Sequence, residues 1–265
     1  MNKIIVTNDE ITKIELDNNI ELNFSKNKFI NINSLNIKVL ADTTLEIEYF
    51  NDVDIKLEVI IEVLDYVKFS LFEKKTGCKS KVQCKYNLCK SSSLDIFRFN
   101  DITSINESDV VLLNGENSTI NMFIKTISKN TEKYDIRVYH NASFTKSSIK
   151  NHGVVIQDGS ITINVSSFVP KKIINCEINQ DNRIINFTNN KCIINPNLFI
   201  DENDVIANHS AHIGTFTNDE LFYLQSRGID KYTAEKILTN GFLVSDFDNI
   251  PIFQNLTEVI EKYWR

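Results

Sequence analysis

Hydrophobic and polar residues alternate with a period of two along most of the chain. The alternation is clearest at residues 20–24, 35–39, 45–49 and 55–59, where apolar and polar side chains change places at every position. Such a pattern is typical of β-strands that bury one face. The run 59–72 is apolar enough for a buried helix, but its alternation and its Val, Ile, Phe and Tyr content predict a strand.

Further short strands are predicted up to residue 200, separated by polar turns at intervals of roughly ten residues, as in many-stranded all-β proteins. Only Asp158-Gly159 has the sequence of a two-residue hairpin turn, which argues against a sandwich or barrel built from hairpins. Asparagines crowd residues 171–200, where they suit left-handed corners and amide ladders between stacked rungs. We therefore expect an all-β core over residues 1–215, folded as a right-handed parallel β-helix, a type of solenoid.

The pattern changes to a helical period at residues 216–265, where we expect a small C-terminal α-helical domain. Thr217 and Glu220 have the spacing of a capping box that starts the first helix. Two glycines are placed to end helices, the first at Gly228 and the second at Gly241. If the helices bind no partner, we expect them to shield the last rung of the solenoid from solvent.

Composition narrows the function classes. The chain has 265 residues, with 29 Lys and Arg against 35 Asp and Glu, and a net charge of −6. Because the positive charges are scattered singly, we expect no nucleic-acid partner. No apolar window approaches the length of a membrane span, and the N-terminus lacks the apolar region of an export signal. We therefore expect a cytoplasmic protein that does not associate with membranes.

The sequence lacks the common signatures of self-contained enzymes. Its seven glycines do not form a phosphate-binding or dinucleotide-binding motif, and HExxH, CxxC and GxSxG are absent. We therefore expect no enzymatic activity and no intrinsic cofactor. Near the β-to-α boundary, His209 and His212 are placed to form a partial metal site with Cys192. Three clustered cysteines lack zinc-site spacing, and we interpret them as incidental thiols. They are Cys78, Cys84 and Cys89.

Two segments after residue 204 carry a recognisable motif. The first, DVIANHSAHIG at 204–214, resembles the pattern D-V-x-A-x-H-G-A-x-x-G in the C-terminal signature of the SufB/SufD family, the scaffold subunits of the SUF iron–sulfur cluster assembly system. The segment DELFYLQSRGI at 219–229 resembles D-E-x-x-F-Y-L-x-S-R-G-I, and Gly-Phe at 241–242 matches the end of the following helix. The resemblance extends over about 134–243.

The resemblance implies a right-handed parallel β-helix followed by helices that bind a SufC ATPase. In this family a SufB-like and a SufD-like subunit pair through the end of the β-helix, and ATP-driven SufC dimerisation distorts the interface where the nascent cluster forms. His209 falls on the interface histidine of SufD-type subunits, whereas Ser210 stands at the position of a functional Glu in SufB-type subunits. The chain therefore resembles the SufD type, with His209 as the residue that ligates iron or relays a proton.

The resemblance also implies the partners. We expect a SufC-like ATPase and a SufB-like subunit, with a sulfur donor system acting indirectly and a transient nascent cluster at the subunit interface. His212 replaces a Thr of the family pattern and is a second, weaker candidate iron ligand. One alternative is a homodimeric SufBD-type scaffold that works with SufC alone. The other is an unrelated β-helix protein, either carbohydrate-acting or adhesive, which would need export. Four residues are expected to dock SufC, namely Phe222, Tyr223, Arg227 and Phe242.

Overall fold

The computed structural model describes residues 2–7, 10–27, 32–51, 55–247 and 250–264. Within them, one 15-stranded sheet winds into a solenoid of about seven turns, which confirms the predicted β-helix. The strands are β1 (Asn2–Thr7), β2 (Glu10–Glu15), β3 (Ile20–Asn27), β4 (Ile32–Val39), β5 (Thr43–Asn51), β6 (Ile55–Val63), β7 (Lys68–Leu88), β8 (Ser93–Leu113), β9 (Thr119–Ser128), β10 (Thr131–His140), β11 (Lys146–Val155), β12 (Ser160–Val169), β13 (Cys176–Asn186), β14 (Ile193–Ile200) and β15 (Val205–Gly214).

The strands form two parallel faces. One face, called sheet A, has the order β15-β13-β11-β9-β8-β7-β5-β1-β2. The other, called sheet B, has the order β14-β12-β10-β8-β7-β6-β4-β3. The strands β7 and β8 have 21 residues each, and both pass from sheet A into sheet B. Neighbouring strands are parallel except at the N-terminal end, where β1–β2 and β3–β4 are antiparallel.

At one corner of the solenoid, the chain turns through residues with left-handed backbone conformation, and these residues stack in a column. Tyr66, Ser91, Asn117, Phe144 and Asn175 all have positive φ, between 53° and 63°. Each donates its N–H to a carbonyl of the next corner along the chain, so the corners stack as the rungs do. Left-handed corners are therefore present, but of the asparagines in 171–200 only Asn175 adopts one among the described residues, and bulky residues such as Phe144 form others. The run 59–72 was predicted as one strand, but the corner at Tyr66 divides it between β6 and β7, so the prediction of a single strand is wrong.

The solenoid interior is mostly apolar, but it encloses a charged cluster at β7 and β8. The buried Arg98 donates to Glu73 at 2.7 Å, to Asp109 at 2.9 Å and to Glu107 at 3.2 Å. Lys75, also buried, donates to Glu107 at 2.7 Å. Because every charge in the cluster has a partner of opposite sign, the desolvation penalty of each is offset by short ion pairs.

A buried carboxyl, Glu132, lies close to this cluster. Its Oε2 accepts hydrogen bonds from Thr126 Oγ1 at 2.7 Å and Tyr134 OH at 2.9 Å. Its Oε1 has no hydrogen-bond partner among the described residues. The nearby Asn100 donates through Nδ2 to the same Tyr134 hydroxyl, and its Oδ1 likewise has no partner among them. Burial raises the pKa of Glu132 to about 8. Glu132 is therefore mostly protonated at neutral pH.

The C-terminal helices lie across the outer face of sheet A. They are α1 (Asn218–Gln225), α2 (Lys231–Val244), α3 (Leu256–Glu261) and two 3₁₀ turns, Pro251–Phe253 and Lys262–Trp264. Leu243 and Phe247 pack against Phe99, Val154 and Ile185 of sheet A. The alternative that the helices shield the last rung is therefore wrong. No helix in the described ranges combines the length and the apolar character that crossing a bilayer requires.

The helix boundaries follow the predicted signals, with one exception. The capping box is confirmed, because Thr217 Oγ1 accepts from the Glu220 amide and Glu220 Oε2 accepts from the Thr217 amide. Gly228 has a φ of 84° just after α1 and supplies the left-handed stop. Gly241, however, lies inside α2, so the prediction that it ends the helix is wrong. The helix continues because Leu243, two residues later, packs onto sheet A.

Candidate functional site

The C-terminal end of the solenoid is open. Within the described residues, β14 pairs only with β12 and β15 pairs only with β13, so each has an outer edge without a strand neighbour. Three large apolar side chains lie exposed along these edges, with exposed fractions of 53% for Phe199, 66% for Ile206 and 43% for Ile213. Unpaired edges of this kind are templates for pairing with another chain.

The N-terminal end is built differently. There β2 and β3 run antiparallel to their neighbours. Side chains from this part of the chain, including Ile11, Leu22 and Phe24, pack against the interior core. The core is therefore covered at the N-terminal end, and the end at β14 and β15 is the better candidate for binding another chain.

An aromatic ladder leads to the open edge of sheet B. The rings of Tyr139 and Phe168 stack with centroids 4.6 Å apart, and those of Phe168 and Phe199 stack at 4.8 Å. The three residues occupy equivalent positions on β10, β12 and β14. The ladder ends at Phe199, whose outer ring face has no stacked neighbour among the described residues. A further strand at this edge would continue the stack.

His209 lies on β15 at the same open end. The parallel register places it opposite Gln180 of β13. Gln180 is buried in the solenoid interior, so His209 belongs to the inward-facing positions of β15. Its neighbours on that face are Ala207 and Ala211, and within the described ranges no strand follows β15 in the solenoid. The imidazole is therefore exposed at the mouth of the interior, where a partner chain would cover it.

The other proposed metal ligands do not lie with His209. His212 is three residues further along β15, so it points to the outer face, opposite Arg183. Cys192 lies before β14, where Asn186 donates to its sulfur at 3.5 Å. In the described part of the chain, no three His, Cys, Asp or Glu side chains are grouped to hold a metal ion. The predicted site formed by His209, His212 and Cys192 is therefore wrong.

The clustered cysteines are also apart from the open end. Cys84 is buried in the interior beside Arg98, and burial raises the pKa of its thiol. Burial also raises the pKa of Cys89, which is partly buried. Higher pKa values keep both thiols protonated and disfavour metal ligation, which supports the interpretation of incidental thiols. The side chain of Cys78 is outside the described residues.

The residues predicted to dock an ATPase do not share one surface. Phe222, Tyr223 and Arg227 are exposed on or just after α1, and the Arg227 guanidinium lies 4.3 Å from the Tyr223 ring centre. Phe242 instead packs within the chain, its ring stacked on His152 at 4.3 Å. Two exposed residues of α2 extend this surface, and the sequence pattern did not single them out as docking residues. They are Tyr232 and Ile237.

Phe242 belongs to a contact that fastens α2 to sheet A. Lys125 Nζ bonds Asp246 at 2.5 Å, His152 Nδ1 at 2.7 Å and the Phe242 carbonyl at 3.2 Å. Burial, followed by the nearby Lys125 charge, lowers the pKa of His152 to about 4, so its ring is neutral. A column of cross-strand neighbours runs through sheet A from Lys125 to His152, Arg183 and finally His212 on β15. This column joins the helices to the open end.

Comparison with known proteins gives one family. The model described as "SUF system FeS cluster assembly, SufBD core domain" matches residues 75–242. The chain is 31% identical over 136 residues to the iron-sulfur cluster assembly protein SufD of Bacillus subtilis, covering 50% of this chain and 31% of that protein. It is 29% identical over 140 residues to SufD of Escherichia coli, covering 49% of this chain and 31% of that protein. The matched segments thus span about a third of each relative.

Proposed function

The chain belongs to the SufBD family of SUF iron–sulfur cluster assembly proteins and is SufD-like, and we propose that it pairs with a SufB-like subunit through the open end of its solenoid. The observation that carries this proposal is the pair of unpaired edges at β14 and β15, lined by exposed apolar side chains. A partner that adds strands there satisfies the edge N–H and C=O groups and buries the apolar residues.

The position of His209 gives the interface a chemical role. The side chain lies at the mouth of the interior, on the strand that the partner would cover. A neutral imidazole offers one nitrogen lone pair, which suits iron ligation or proton transfer during cluster formation. The cluster is the cargo of the scaffold, held between the two subunits and then passed on. In this proposal His209 contributes a transient ligand or proton acceptor, and the SufB-like partner contributes the other groups.

The second proposed partner is a SufC-like ATPase bound to the helices. The exposed face formed by Phe222, Tyr223, Tyr232 and Ile237 supplies apolar area for docking, and Arg227 adds a charge. Aromatic residues and Arg are the types enriched at interface hot spots. ATP hydrolysis takes place in that partner. The contact between α2 and the column that ends at His212 would carry its movement to β15.

The test is co-purification with the SufB-like and SufC-like proteins of the same genome, with stoichiometry measured by light scattering. We expect a complex that contains all three chains. Ile213→Lys should abolish pairing with the SufB-like subunit, because it places a charge on the β15 edge. The matched control is Ile14→Lys, which changes an equally exposed isoleucine on β2 at the other end and should leave pairing intact.

Three results contradict parts of the proposal. A self-pair that binds the SufC-like protein alone would favour the homodimeric scaffold. Absence of any complex would refute the pairing. For the role of His209, His209→Ala should preserve the complex and reduce the yield of cluster on it. An unchanged yield would remove His209 from the chemistry.

A further inference from the structure

Gln180 lies directly beneath the candidate histidine. Its strand, β13, is the last one that β15 covers, and the register sets Gln180 opposite His209. Gln180 is 1% exposed and points inward, so its amide forms part of the floor of the open mouth. Neighbouring strands in a sheet are about 4.8 Å apart, which places the two side chains within contact distance of each other.

Only the nitrogen of the Gln180 amide has hydrogen-bond partners among the described residues. Its Nε2 donates to Ser167 Oγ at 2.9 Å and to the Asn197 carbonyl at 3.3 Å, both on sheet B. These bonds fix which end of the amide carries the nitrogen. Its Oε1 is buried and has no hydrogen-bond donor among the described residues. A buried acceptor without a donor is uncommon and calls for a partner.

The other polar groups beside Gln180 are already engaged. Asn182 accepts from Asn151 Nδ2 at 2.7 Å and donates to the Ser210 carbonyl at 3.2 Å. Asp181 points to the outer face, where it accepts from Ser210 Oγ at 2.8 Å. On β15, the residues that flank His209 on the inward face are alanines, which leave room for the imidazole and offer no side-chain hydrogen bond. Among the described residues, the ring of His209 is thus a donor that the register sets within reach of Gln180 Oε1.

We propose that Gln180 is a positioning residue for His209: its Oε1 accepts a hydrogen bond from one imidazole N–H and so holds the ring in a single tautomer. A rotamer change of the exposed His209 side chain brings the ring over the amide, and such changes are fast at an exposed position. The second nitrogen then keeps its lone pair and faces the partner. The chemical use of that nitrogen rests on the proposed function, whereas the hydrogen bond does not.

The test is ¹⁵N NMR of the folded chain labelled at histidine. The His209 signals are assigned by their loss in His209→Gln, and the ¹⁵N shifts report which ring nitrogen carries the proton. Gln180→Met keeps the side-chain length and removes the acceptor, so the tautomer ratio should change by about twofold to tenfold, the effect of one hydrogen bond. Gln180→Glu keeps an acceptor, so it should preserve the favoured tautomer.

The matched control is Asn151→Leu, which removes a buried amide from the interior without touching Gln180 and should leave the tautomer ratio unchanged. An equal ratio in wild type and Gln180→Met would overturn the proposal. If Gln180→Met does not fold, Gln180→Glu decides, and loss of the favoured tautomer in that variant overturns the proposal. A shifted ratio combined with a normal cluster yield in His209→Ala would uphold the positioning role and refute the proposed function of His209.

Discussion

Replacing Glu132 with Gln should change how stability depends on pH. Burial raises the pKa of this carboxyl from 4.5 to about 8 in the folded chain, so the folded state keeps a proton that the unfolded state has lost. Between these two values, each pH unit costs the wild type about 1.4 kcal/mol of unfolding free energy. The contribution of Glu132 is thus fully present below pH 4.5 and is lost as the pH rises through 8.

Glutamine has the shape of the protonated carboxyl and no titration, so Glu132→Gln removes this slope. Its Nε2 takes the place of Glu132 Oε1, which accepts no hydrogen bond from the described residues. From pH 5.5 to 7.5, we expect the wild type to lose about 2 to 3 kcal/mol more than the variant. His140 and His152 act in the opposite direction: burial lowers the pKa of both to about 4, so their contributions grow as the pH rises from 4 to 6.5. They are common to both proteins and cancel in the difference.

The assay is urea unfolding at half-unit steps from pH 5 to 8.5, followed by circular dichroism. The control Glu58→Gln changes an exposed glutamate on β6 and should reproduce the slope of the wild type. Parallel curves for wild type and Glu132→Gln over the whole range would refute the reasoning, because they would show that Glu132 binds no additional proton in the folded state.

Four further predictions concern the helices. Tyr223→Ala should weaken binding of the SufC-like protein in a pull-down with little change in melting temperature. Phe242→Ala should cost about 1 to 3 kcal/mol of stability in urea unfolding, because its partly buried ring packs on His152. Asp246→Asn should cost about 2 to 4 kcal/mol, measured the same way, because it leaves the buried Lys125 charge without its carboxylate. Thr217→Ala should cost about 1 kcal/mol through loss of the α1 cap, and an unchanged melting temperature would contradict the role of the capping box.

Local patterns predicted the elements of this fold better than their arrangement. Period-two alternation identifies strands, and the spacing of Thr217 and Glu220 identifies the start of α1, because both signals involve near neighbours in the chain. The corner at Tyr66 was not predictable, since bulky residues rarely adopt positive φ and do so here only because stacked corners bond one another. Gly241 was misread because packing against sheet A decides where α2 ends.

The candidate site was predicted in part. The SufB/SufD resemblance singled out His209, but the sequence did not reveal its neighbour Gln180. Rungs differ in length: Lys68 pairs with Ser93, 25 residues later, whereas Lys146 pairs with Glu177, 31 residues later. Because the number of residues in a rung is not constant, the sequence alone does not give the register between β13 and β15. Only the folded solenoid shows it. Folding of the solenoid also brings Arg98 and its carboxylate partners together in the interior, although the alternating pattern predicts apolar residues there.

Amide hydrogen exchange shows directly whether a partner subunit pairs with the open end. Half of the β15 amides face β13 and half face the open edge, as in any parallel strand with one neighbour. In the isolated chain, the edge-facing amides of β14 and β15 should exchange fast. In the complex with the SufB-like subunit they should become protected, while amides of β2 at the other end keep their rates. A stable complex that leaves the β14 and β15 amides unprotected would contradict the account.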